Sequence, residues 1–433
     1  MDTLNILVLH RLGDPEQAPL FLRRHVFKLR TYYPEHNYIY HDATLPLPDF
    51  IHGIEFDAII LDVTFLCLRW ADPATYQQVR HDFAFVADSN AVKIAYPQDE
   101  YDCNRILDDW MCDWNVDVVF SVISSHWDIL YPRFHSKGEI RLGFTGYIDD
   151  ALVDFPRLPF HKRNIDIGYR ARKLLPYFGG IGETKWQIGL RVAERARSAG
   201  LQTDIIVGDS GTLLGLQWLN FINNSKFTLG SNSGSGLLDP YGEIQRAVRK
   251  YLRQHPQANF QEVESQCFVG LDGRYTMTAI SPRVFEAGLL ESCQILVEGE
   301  YSDVLQSWQH YIPIKSDAAD FDQVLLAMQD RVLVDRLRRD CRSALLDCNA
   351  LRASHNSSLT IELIGEIKTR KGVVSDCDVV AALSMHYAEI MAPYYRRSWH
   401  MQGARRSLRL LISKYPPLLH VARSLRSLVK KLG

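Results

Sequence analysis

The chain has 433 residues, of which 46% are hydrophobic and 23% charged, and its formal net charge is −2. That length exceeds one ordinary core and calls for two or three domains, in a composition typical of a folded protein. The near-neutral charge argues against a general nucleic-acid binder, and eight cysteines without a CxxC pair imply neither a zinc site nor a disulfide framework.

The first stretch, Asn5 to His10, holds the apolar run Ile6–Leu9 and predicts a buried strand, followed by a turn at Arg11–Pro15. No basic n-region or cleavage site precedes it and no run reaches the length of a membrane span, so the expected location is cytoplasmic. A helix over about 18–32 follows. Further strands are predicted at 38–41, 56–62, 92–96 and 116–122, alternating with helices over 73–88 and 103–112. Alternation of this kind predicts a parallel, doubly wound sheet, whose ligands gather at the C-terminal strand ends. His10 with Gly13, Asp62, Asp99 with Glu100, and Ser124–His126 fall at such ends. Asp99 follows a buried strand and suits a base; His126 suits acid–base work near neutral pH. Each also has a plainer reading, Asp99 as the N-cap of the next helix and His126 as a structural hydrogen bonder.

Residues 155–163, FPRLPFHKR, read as a linker. This divides the chain into a first domain over 1–158, a second over 159–345, and C-terminal helices over 346–433. The second domain opens with a strand at 165–169 that ends in Arg170-Ala171-Arg172. A glycine-rich turn, Gly179–Gly182, then leads to a helix from Glu183 to about Ala199, with Trp186, Leu190, Ala193 and Ala196 facing the core. The turn is neither a Walker A loop nor a GxGxxG fingerprint, because the residues around Lys185 do not fit either pattern. Strands at 201–207 and 227–230 follow. After the second, Ser231–Gly236 is a run of small residues that lets backbone amides approach a ligand closely; a flexible turn is the alternative. A helical insertion covers 243–267.

Residues 281–300, SPRVFEAGLLESCQILVEGE, form the most informative stretch. Ser281 and Pro282 suit the start of a helix. Arg283 lies in the first turn, where the free amides favour an anion, and Glu286 one turn on can accept hydrogen bonds from a sugar diol. An amphipathic helix carrying a surface Arg–Glu pair is the blander account. Gln294–Val297 then predicts a buried strand, and HYIPI at 310–314 another. Helices are predicted from 320 to 329, over 331–352 and over 374–393.

The pattern SPRVFEA…ILVEGEYSDVL…HYIPI resembles glycosyltransferases of the GT-B fold, in particular the group-1 and spore-maturation-protein-like members. The resemblance covers about 165–330 and extends to the first domain by layout only. It implies an α/β protein of two Rossmann-like, doubly wound domains facing a cleft, with C-terminal helices. It implies transfer of a sugar from a nucleotide diphosphate sugar, without a metal or other cofactor, to a glycan or lipid-linked acceptor in cell-surface polysaccharide synthesis. In such proteins an arginine after the first donor-domain strand and a lysine opening the helix clamp the diphosphate. Arg170, Arg172 and Lys185 match those roles, together with Ser281 and Arg283. Glu286 matches the glutamate that binds the ribose. Ser233, Gly234 and Asp239 match a donor loop, and the acceptor is expected near Asp99 and His126. Retaining members carry another glutamate eight positions before the ribose ligand, and here Thr278 stands in its place. That departure leaves open a second reading, a non-catalytic nucleotide-sugar or glycan binder of the same architecture.

Past Glu389 the chain has no acidic residue, and from Arg396 to Lys431 basic residues alternate with Leu, Ile and Val. Such a segment suits the anionic inner face of a membrane, or else a solubilising tail or a helix docked on the protein.

Overall fold

The structure is a computed structural model, and it describes residues 2–414. Half of the basic segment proposed for membranes, 415–433, falls outside the described residues; 396–414 belongs to the last described helix. Among the described residues no helix is long and apolar enough to cross a membrane.

Two parallel sheets organise the chain. The first contains β1 (Asn5–His10), β2 (Asn37–Asp42), β3 (Ala58–Leu61), β4 (Val92–Ala95), β5 (Val118–Ser121) and β6 (Glu139–Leu142), in the order β2-β1-β3-β4-β5-β6. The second contains β7 (Ile165–Ala171), β8 (Thr203–Val207), β9 (Ser225–Gly230), β12 (Cys293–Val297) and β13 (Ile312–Ile314), in the order β13-β12-β9-β7-β8. All pairings within both sheets are parallel. β1, β3, β4, β5 and β12 are buried along their whole length, because helices cover both faces. In each sheet the order reverses beside the first strand, and a ligand crevice is expected at that switch point. In the second sheet it lies between β7 and β9.

A two-stranded antiparallel ribbon, β10 (Ser233–Ser235) with β11 (Met277–Ala279), projects from the second unit. Met277 and Ala279 join the aromatic core of the first, beside Phe65, Trp110 and Trp114. Backbone hydrogen bonds tie the two units nearby. Asp239 N–H donates to Tyr101 O at 2.9 Å, and Cys103 N–H donates to Asp239 O at 2.7 Å. The Thr145 hydroxyl donates to Ile280 O at 2.7 Å.

Several local expectations change. The helix predicted from Glu183 begins at Gly179, because the glycine-rich turn is its first turn. Asp272 takes the Gly180 N–H at 2.6 Å and supplies the cap from outside the helix. Its buried face is Trp186, Gly189, Val192 and Ala196; the predicted core residue Leu190 is exposed. β6 and the helices Leu216–Asn223 and Ala353–Lys371 were not expected from the sequence. The last of these packs Ile361, Ile364 and Ile367 on the first sheet. The final described helix, Cys377–Lys414, also returns to that sheet, where the Tyr387 hydroxyl meets His41 Nδ1 at 2.9 Å. All eight cysteines are free, and four are fully buried.

Candidate functional site

A crevice of about 370 Å³ opens at the C-terminal ends of β7 and β8. One wall is Pro19–Leu22 of the first unit; the other carries Arg170, Arg172, Trp218, Arg283 and Glu286. A narrow cavity of about 30 Å³ adjoins it, lined by Lys185, Gly230, Ser231, Ser281 and Arg283. The cations near 170–185 and the Arg283/Glu286 turn therefore share one region.

Helix Pro282–Leu289 presents Arg283 and Glu286. Ser281 sits at its N-cap position but its side chain makes no capping hydrogen bond, and Pro282 at the first helical position has no amide to satisfy. Arg283 is solvent-exposed, donates to the backbone carbonyl of Arg170, and lies 5.1 Å from the Trp218 ring centroid. Glu286 is 5% exposed. Its Oε2 accepts the Trp218 indole N–H at 2.6 Å. Burial pushes the carboxyl up to about 7, against the opposing pull of that hydrogen bond and of Arg283. Glu286 is thus poised between acid and carboxylate at neutral pH, and Trp218 holds its place.

Lys185 Nζ donates to Ser233 Oγ at 3.0 Å. Burial and the Arg283 charge push the ammonium down to about 8, while Asp99 pulls it upward. Asp99 of the first unit therefore acts electrostatically across the gap on a cation of the second. Gly234 has φ +131°, and a Cβ there would sit 2.1 Å from Met277 O, so the ribbon admits only glycine at this point. Thr278 pairs with Gly234 in the ribbon.

The two arginines at the end of β7 differ. Arg170 is 8% exposed; it bonds Asp204 Oδ2 at 2.7 Å and the carbonyl of the same residue at 2.7 Å. Its guanidinium also lies 4.1 Å from the Phe221 ring centroid. These bonds join β7 to β8 through its side chain. Arg172 is exposed at the crevice mouth, with only a loose pairing to Asp209 at 3.7 Å. Asp239 lines neither cavity. It is buried in the seam between the units, and its Oδ2 caps Gln245 N at 2.8 Å.

Asp99 is not an N-cap. The next helix, Asn104–Asp113, starts after Cys103, and the Asp99 carboxylate accepts the Tyr101 hydroxyl at 2.7 Å. Its backbone is left-handed, with φ +49°, a conformation that aspartate tolerates better than most residues. This loop is held by a residue that belongs to no local motif. Arg69, 2% exposed, donates to the carbonyls of Leu66, Gln98, Asp99 and Asp102 at 2.7–3.0 Å. The adjoining Glu100 is fully buried, bridges Val122 N–H and the Tyr131 hydroxyl, and is pushed up to about 7 by burial. His126 also adopts a left-handed backbone, and its ring packs edge-on to Tyr275 of the second unit at 5.5 Å. It stands at the seam, outside the two cavities that hold the cations. Trp218 escaped notice because the short helix that carries it was not expected. Among the described residues no group of three His, Cys, Asp or Glu is placed to hold a metal ion.

No family model and no curated protein matches the sequence. Solved structures do match the fold. An α-glucosyltransferase in complex with UDP and a 13-mer DNA containing an HMU base shares 10% identity at a TM-score of 0.50, over 84% of this chain and 100% of that one. An α-glucosyltransferase with UDP-glucose and DNA containing an abasic site gives the same figures. Anabaena HepE in complex with UDP and glucose shares 7% identity at a TM-score of 0.47, over 84% of this chain and 100% of that one. At such identities the likeness concerns architecture. The chain has the fold of GT-B glycosyltransferases, two Rossmann-like units facing a crevice.

Proposed function

We propose that this protein is a glycosyltransferase that takes a sugar from a nucleotide diphosphate sugar. The observation that carries the reading is the convergence of Arg172, Lys185, Arg283 and Glu286 on adjoining cavities at the C-terminal edge of the second sheet. Arg172, Arg283 and Lys185 hold the diphosphate, Ser281 and Ser233 flank it, and Glu286 takes the ribose hydroxyls. Arg170 positions the strand end through Asp204. A leaving diphosphate gains charge in the transition state, and cations fixed beforehand stabilise it. The α-glucosyltransferase of like architecture holds UDP, which makes uridine the first base to test. On the first unit, Asp99 is the candidate base, held by Arg69 and Tyr101, and His126 is a residue of the seam beside the acceptor.

The test is calorimetric titration with UDP-, GDP-, ADP- and TDP-sugars. We expect one base to bind and Glu286→Ala and Lys185→Ala to weaken it at least tenfold with the fold intact. Parent-like binding by both variants refutes the assignment. Thr278, a ribbon residue paired with Gly234 where retaining members carry glutamate, favours a second reading as a binding protein without turnover. Donor binding with neither transfer nor hydrolysis, across acceptors, selects that reading.

A further inference from the structure

A third cavity lies apart from the two that Arg283 lines. It encloses about 1010 Å³ between the first unit and helix Glu243–Gln254 of the second. We propose that this groove binds an oligosaccharide of two or more sugar units as the acceptor; this rests on the glycosyltransferase reading.

Volume is the first argument. Sites for small ligands span roughly 300–1,000 Å³, so this one exceeds the needs of a single sugar ring. The chemistry of the walls is the second. Trp70, Tyr76, Phe178 and Tyr241 line the groove from both units. Aromatic faces of this kind pack on the C–H faces of sugar rings and keep a polar edge wet. Trp70 is braced for the task, with the Arg69 guanidinium 4.3 Å from its centroid. Tyr241 is half exposed at the rim. Gln77 and Gln245 supply amides suited to hydroxyl groups.

Charge decides against other polymers. Apart from the buried Asp102 and Arg69, four aspartates line the groove against three arginines, so a nucleic-acid backbone would meet a wall without net positive charge. The apolar lining is aromatic, with Ile106 its one large aliphatic residue, which does not suit an acyl chain.

Position is the third argument. Asp99 lines the groove and also influences Lys185 at the other cavity. Tyr177 and Phe178 form part of the floor and directly precede the helix that carries Lys185. The groove therefore runs from solvent toward the place assigned to the donor. The backbone ties of Asp239 to Tyr101 and Cys103 fix its two walls at one spacing.

The test is binding of the full chain to an array of defined neutral, amino and acidic oligosaccharides of two to six units, with duplex and single-stranded DNA on the same array. Hits are titrated by calorimetry. We expect an oligosaccharide to bind, its monosaccharide to bind at least tenfold more weakly, and Trp70→Ala and Tyr241→Ala each to weaken it roughly tenfold. Tyr241 is exposed, so its variant keeps the fold if Trp70→Ala does not. UDP-glucose binding should be unchanged in both. Binding to no saccharide, selective binding to DNA, or saccharide binding indifferent to both substitutions overturns the proposal. The donor reading fails separately: oligosaccharide binding that survives while no nucleotide sugar binds removes the donor and leaves the groove.

Discussion

Glu286 offers the sharpest test of the donor site, because its protonation should govern donor affinity. Burial holds the carboxyl at about 7 when the site is empty. Ribose hydroxyls donate, so they bind the carboxylate and not the acid. Below pH 7 the protein must first lose that proton, at about 1.4 kcal/mol per pH unit, or tenfold in Kd. Between about pH 7 and pH 5.5 the affinity should therefore fall by roughly fifteenfold. UDP-glucose is the ligand to use, since UDP itself has a terminal phosphate that titrates near 6. Calorimetry at half-unit steps gives the profile. Glu286→Gln keeps the shape, loses the charge and should bind with no dependence on pH over this range. Its affinity at pH 8 should be lower by about 1.5–3 kcal/mol, the worth of hydrogen bonds to a charged group. A profile identical in parent and Gln variant refutes the ribose assignment.

Three further substitutions probe the framework. Gly234→Ala places a Cβ 2.1 Å from Met277 O at a positive φ, and should cost about 3 kcal/mol or more in urea unfolding; parent-like stability would show that the ribbon can shift. Arg69→Met leaves three carbonyls of the Asp99 loop, and that of Leu66, without their donor, so we expect a loss of about 3–5 kcal/mol and faster proteolysis near 98–102; an unchanged midpoint refutes its role. Lys28 is 4% exposed, contacts His25 Nε2 at 3.3 Å, and is pushed down to about 7 by burial. Its cost to stability is full below pH 7 and fades as pH rises toward the ordinary lysine range. Lys28→Met should thus be more stable than the parent at pH 7, by on the order of 2 kcal/mol, with the gain shrinking by pH 10; a gain that does not vary with pH refutes this.

What the sequence disclosed followed from burial. β1 and β3 are four or more consecutive apolar residues under helices on both faces, and such runs are plain without a structure. β6 is an edge strand, Glu-Ile-Arg-Leu, with no buried position and so no pattern. Helix Ala353–Lys371 hides its period because Asn356, Ser357 and Thr360 are on the buried face, where Thr360 meets the Tyr96 hydroxyl at 2.6 Å. Within the site, Arg283 and Glu286 could be read from one helix turn. Choosing between Arg170 and Arg172 could not, because it depends on Asp204, which β8 brings alongside. The place of Asp239 was hidden for a similar reason. Its environment is made by residues 101–103 of the other unit, and a local motif contains no trace of them.

The two titratable groups of the crevice lean toward neutrality in opposite senses, and that pairing bears on how it meets a donor. Empty, Lys185 is held near 8 and Glu286 near 7. A diphosphate favours the ammonium, so binding above pH 8 should draw in a proton at Lys185. A ribose favours the carboxylate, so binding below pH 7 should expel one from Glu286. Calorimetric enthalpies for UDP-glucose in buffers of differing ionisation heat measure the net exchange. We expect release approaching one proton near pH 6, uptake near pH 8.5, and a crossing between them. Glu286→Gln should abolish the release alone and Lys185→Met the uptake alone, because separate groups carry the two arms. If either variant removed both, or if the parent exchanged no protons at either pH, the carboxylate and the ammonium would not both face the donor.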